Sequence, residues 1–139
     1  MYASRLILYH KQSTSARTRF LRLGYGGVCA FAPLEVAAEL MPPGQSRGTL
    51  IAHPAAVVRP AEQRLGLPLG SLEPEPGFRC RVRGPEGETE VLLARLLTLD
   101  PPFKTAAAQG GAFIDLTQAR GLPPVELAML RLAYELILG

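Results

Sequence analysis

The chain has 139 residues, a length that fits one domain and lets it bury roughly two-thirds of its unfolded surface. Hydrophobic residues make up 47%, charged residues only 19%, and the formal net charge is +3. So small a charge does not demand a nucleic-acid partner, and charged residues below the usual ~25% leave apolar surface for a protein partner or a second copy.

Leu6 to Tyr9 form a short apolar run broken by His10. It is too short for a secretory signal, and no later run reaches the ~18 apolar residues of a membrane span. A cytoplasmic protein with no membrane partner is expected, with Cys29 and Cys80 as free thiols. The basic residues are nearly all arginine, Lys11 and Lys104 being the lysines, which reads as the coding bias of a GC-rich bacterial genome.

Residues 5–9 predict a strand and 13–16 a loop. Residues 19–23 and 28–31 read as extended runs around the glycine turn Gly24-Tyr25-Gly26-Gly27. Pro33 near the start, alanines within and Pro42-Pro43-Gly44 after it predict a two-turn helix at 33–41. Residues 49–52 and 56–59 predict short strands broken at His53-Pro54, and 60–65 a single helical turn. The Pro- and Gly-interrupted stretch 66–77 predicts a surface loop.

The clearest element is a hairpin. Phe78-Arg79-Cys80-Arg81-Val82-Arg83 alternates apolar and cationic, Gly84 to Gly87 turns, and residues 88–94 return. With Gly87 in the left-handed position, Arg83 faces Glu88, Arg81 faces Glu90, Cys80 faces Val91 and Phe78 faces Leu93. An odd register would mix apolar and charged faces, so the even one is predicted. The arginines then form a solvent-facing row neutralised by the two glutamates.

Three helix starts follow. Asp100-Pro101-Pro102 offers an N-cap for residues 103–109, and Asp115 with Gln118 three residues on is a capping-box pattern. Pro123-Pro124-Val125-Glu126 opens a helix to about Leu138 that is apolar over most of its circumference. The whole predicts an α+β fold in one domain over 1–139: strand-rich to residue 99, mainly antiparallel, and packed against helices from 100 to 139.

Catalytic chemistry draws mostly on His, Cys, Asp and Glu. Here His10, His53, Cys29, Cys80, Asp100 and Asp115 fall at no motif spacing, so no catalytic residue, metal or cofactor is expected. The glycine turn lacks the third glycine and following helix of a dinucleotide site. Residues 115–138 resemble a helix-turn-helix in outline, but the second helix opens without polar side chains for base edges. The expected function is a non-catalytic accessory or protein-interaction module. It would self-associate as a homodimer through Val125, Met129, Leu132 and Leu136. The alternative is a nucleic-acid or anion-binding domain using the patch Arg17, Arg19 and Arg22, which has no acid near it in sequence.

Overall fold

The computed structural model describes residues 3–42 and 53–139. Its centre is β1 (Ala3–Lys11), whose Leu6, Ile7, Leu8 and Tyr9 are all buried. A strand buried on both sides requires cover on both faces of its sheet. β1 lies parallel to β5 (Gly87–Leu96), with Ile7 beside Leu93, and antiparallel to β2 (Thr18–Arg22), with Tyr9 beside Phe20. β4 (Leu72–Gly84) runs antiparallel to β5, and two short strands, β3 (Glu39–Leu40) and β6 (Ala112–Ile114), close the edges. The resulting six-stranded sheet is mixed but mostly antiparallel, in the order β3-β4-β5-β1-β2-β6.

Strand alternation sends two sets of side chains to two cores. Ile7, Tyr9, Phe20, Val82, Val91 and Leu93 meet Met129, Leu130 and Ala133 of α3 (Pro124–Leu138). A 3-10 turn (Leu116–Gly121) adds Ala119 to that side. Leu6, Leu8, Leu21, Leu92 and Ala94 meet Val58, Ala61 and Leu65 of α1 (Pro54–Leu65) and Ala106 of α2 (Phe103–Ala108). The α+β expectation holds, with helices on both faces. β6 places a strand inside the stretch expected to be wholly helical.

The hairpin register is as predicted: Arg83 pairs Glu88, Arg81 pairs Glu90 and Cys80 pairs Val91. Arg79 beside Leu92 continues that register; the ladder then shifts between Pro74 and Arg79, and Phe78 lies inward at the edge of that break. Pro74, Pro76 and Gly77 lie in that break, where prolines cannot donate to a ladder. Two expectations about this region are corrected. β4 begins at Leu72, inside the predicted loop, and of the charged row only Arg83 stands exposed. Glu90 is only 2% exposed, with Arg79 and Arg81 at 3.8 and 3.7 Å from its carboxylate.

Residues 33–41 are not helical. Residues 36–37 turn and Glu39–Leu40 pair with Arg83 and Val82, while Met41 N–H donates to the Arg81 carbonyl at 2.8 Å. The open edge of β4 satisfies backbone groups that an isolated two-turn helix would satisfy only marginally. Residues 28–31 are not a strand either; Ala30 alone bridges Leu6, by reciprocal bonds of 2.8 and 3.1 Å. The predicted strand at 56–59 and turn at 60–65 merge into α1. His53 caps it through Nδ1, which accepts from Ala55 N–H at 3.2 Å, and Gly66 ends it at φ 70°. Pro60 disfavours a helix locally, but Val58, Ala61 and Leu65 fall at helical spacing onto the sheet. Asp100 does not cap α2, whose N-cap position is Pro102; the Asp100 carboxylate accepts from Gln12 at 3.4 Å. The predicted strand at 49–52, and Pro43 and Gly44 of the predicted helix stop, lie outside the described residues.

Candidate functional site

The structure disperses the arginine patch. Arg17 pairs with Asp115 at 3.4 Å, an acid distant in sequence but adjacent in space. Arg19 and Arg22 leave β2 on opposite faces. Arg19 lies 6.0 Å from the Phe103 ring of α2 and donates to Gln12 at 3.2 Å, whereas Arg22 opens toward the α3 side. The four helix positions also divide. Met129 is fully inside the core, Val125 lines a cleft, and Leu132 and Leu136 remain on the surface at 43% and 39% exposure. Met129 is therefore removed from the self-association face.

The sparse titratable groups do not gather. His10 is buried, with Nε2 2.7 Å from the Thr98 carbonyl, so Nε2 carries the proton and donates. His53 is spent on the α1 cap. Cys29 and Cys80 border the same core, where burial pushes the Cys80 thiol up to about 11. Burial, then the nearby Glu126 carboxylate, raises Cys29 further. Thiols held protonated in this way are poor nucleophiles. Among the described residues no three His, Cys, Asp or Glu side chains stand together as a metal site.

Among the described residues, two of the clefts border the segment from Gly24 to Ala38. The first, about 530 Å³, lies between the start of β1, residues 30–32 and α1. Its polar members are Ser4, Arg5 and Arg64, against Ala32, Ala56, Val57 and Pro60. Arg5 is locked in place by three backbone carbonyls, those of Ala32, Ser4 and Pro33, at 2.9, 3.2 and 3.4 Å. Arg64 stacks its guanidinium 4.4 Å from the Phe31 ring centroid. Neither has a carboxylate partner among the described residues. The residues outside that set contain no Asp or Glu at all, so both arginines that line the cleft lack an ion pair, Arg5 being held on carbonyls and Arg64 exposed.

The second cleft, about 670 Å³, lies between residues 25–27, residues 33–38 and the first turn of α3. Its walls are Pro33, Leu34, Val36, Pro124 and Val125, and its floor holds Glu126, which is only 2% exposed. Val28 N–H donates to Glu126 Oε1 at 2.7 Å. Tyr25 closes the loop beside it, donating to the Cys29 carbonyl at 2.7 Å and accepting from Cys29 N–H at 3.0 Å. Gly27 is required here, because a Cβ would lie 2.6 Å from Glu126 Oε1 and against the Tyr25 ring.

Sequence reasoning did not single out Arg5, Arg64 or Glu126 as site residues. The available signals were a cation opening an apolar strand and an acid in the first turn of an apolar helix. Both patterns are common, and only the fold shows which members face a cavity. Comparison with known protein families and with curated proteins finds no match to this chain.

Proposed function

We propose that this protein is a non-catalytic binding module whose ligand is a small organic oxyanion, a phosphate monoester or a carboxylate, held between β1 and α1. The observation that carries this reading is the pair Arg5 and Arg64 in one cleft with no carboxylate opposite. Arg5 is preorganised by its three carbonyls, so little freedom is lost when an anion arrives. Guanidinium groups match oxyanions by paired N–H donors. The apolar wall of Ala32, Ala56, Val57 and Pro60 suits a ligand whose body is hydrocarbon or an aromatic ring.

Calorimetry and amide-shift titration with inorganic phosphate and phenyl phosphate at low ionic strength test it. Phenyl phosphate should bind more tightly than phosphate, with shifts at Ser4, Ala32 and Arg64. Arg64→Gln, an exposed position, should weaken both about tenfold while Arg19→Gln and Arg22→Gln leave them unchanged. Absence of shifts at the cleft, or equal binding by Arg64→Gln, defeats the proposal.

Self-association remains a second reading on a narrower face. Leu132 and Leu136 are one helical turn apart and both exposed, with Leu138 at 60% near them at the helix end.

A further inference from the structure

We propose that the cleft on the α3 side is a second binding site, selective for organic cations that carry N–H donors on an apolar stem, such as a primary alkylammonium or alkylguanidinium. Glu126 is a carboxylate taken almost wholly out of water, where an ionised group needs partners for both oxygens. Oε1 has the Val28 amide. Oε2 receives no hydrogen bond among the described residues, and Glu126 is one of the residues that line the cleft. A buried carboxylate with one oxygen left unmatched thus borders the cavity.

The other charges near the cavity do not hydrogen-bond to Oε2: Arg5, whose charge reaches Tyr25 and Cys29 as that of Glu126 does, is held on the carbonyls of Ala32, Ser4 and Pro33. Glu35 spends both oxygens on the Glu86 N–H, at 3.2 and 3.3 Å, at the β4–β5 turn. Arg22 stands exposed at the rim and makes no ion pair with Glu126 within 4.0 Å. The formal charge of the lining is −1, from Glu35, Glu126 and Arg22. Pro33, Leu34, Val36, Pro124 and Val125 give the stem an apolar seat above it. The ligand chemistry is opposite in sign to that of the β1–α1 cleft, and the two sites border the same segment.

The test titrates the protein with n-butylammonium, n-butylguanidinium and n-butyltrimethylammonium, read by amide shifts and calorimetry. The first two should bind with shifts at Gly27, Val28 and Val125. The quaternary ion has the same charge and stem but no N–H, and should bind at least about fivefold more weakly. Glu126→Gln keeps an acceptor for Val28 but removes the charge, and should lose about tenfold in affinity with its melting temperature little changed. Should that variant fold poorly, Val36→Lys and Val36→Glu decide instead, because Val36 is fully exposed at the cleft wall. They should weaken and strengthen binding respectively, each about twofold. Absent binding, equal affinity for the quaternary ion, equal affinity in a folded Glu126→Gln, or insensitivity to both Val36 variants overturns the proposal.

Discussion

Glu62 shows what a buried carboxylate does when its partners are complete. It is 1% exposed, takes Arg59 Nη1 at 2.7 Å on one oxygen and the Leu72 amide at 2.9 Å on the other, and so ties α1 to the start of β4. Glu62→Ala should cost about 2–3 kcal/mol in urea unfolding, chiefly from leaving Leu72 N–H buried without an acceptor, and Glu62→Gln clearly less. An unchanged midpoint for Glu62→Ala would show that water replaces the carboxylate. Asp115 makes a different, pH-dependent contribution. The Thr117 hydroxyl, then the Gln118 amide and Arg17, hold its carboxyl below the ordinary 3.8. A lowered folded-state value means stability that is present above about pH 3.8 and is lost as pH falls through the folded value. Asp115→Asn should therefore melt below the native protein at pH 7, with the gap closing under acid conditions. The Asp115–Gln118 box was legible in sequence because both partners are local. The burial of Glu62, Glu90 and Glu126 was not, because no sequence spacing tells which of twelve acids the fold will enclose.

At the scale of elements, what could be read was whatever its own residues decide. The β4–β5 hairpin is set by alternation on both arms and by Gly87 at φ 126°, so its register followed. The helix α3 and the capped 3-10 turn followed likewise. What failed were elements settled by distant partners. Leu40 is in β3 because Val82 presents an open edge, and Val58 is helical because the sheet face needs Ala61 and Leu65 beside it. Close approach at the β2–β6 junction is equally invisible in sequence. A Cβ on Gly111 would run into the backbone carbonyl of Arg22, which the ladder holds. Gly111→Ala should cost at least about 2 kcal/mol, whereas Gly121→Ala, with open space around it, should stay within about 0.5 kcal/mol. Parallel thermal melts check both.

At the scale of the molecule, one sheet divides two cores, and Val82 sits in the core that joins β3, β4 and α3. Val82→Asp places an unpaired charge there and should leave the chain unfolded by circular dichroism. The paired arginines above it contribute far less, because Arg83 is 61% exposed and its bond to Glu88 is long at 3.9 Å. Sedimentation decides the remaining question about α3. Dimerisation that is lost in Leu132→Glu and Leu136→Glu, and retained in Val125→Ala, would place the contact on the exposed turn. A monomer at micromolar concentration, with those leucines left in water, would remove self-association from the account.

The parallel ladder between β1 and β5 carries a consequence for synthesis. Ala3 pairs with Thr89 and Tyr9 with Arg95, so β1 leaves the ribosome long before its neighbour exists. β2 can close one side early through a short connection, but the other edge of Leu6-Ile7-Leu8-Tyr9 stays open. That run has no charge to discourage pairing with another chain. Nascent chains arrested before Gly87 should therefore recruit holdase chaperones, and chains extended past Leu96 should release them.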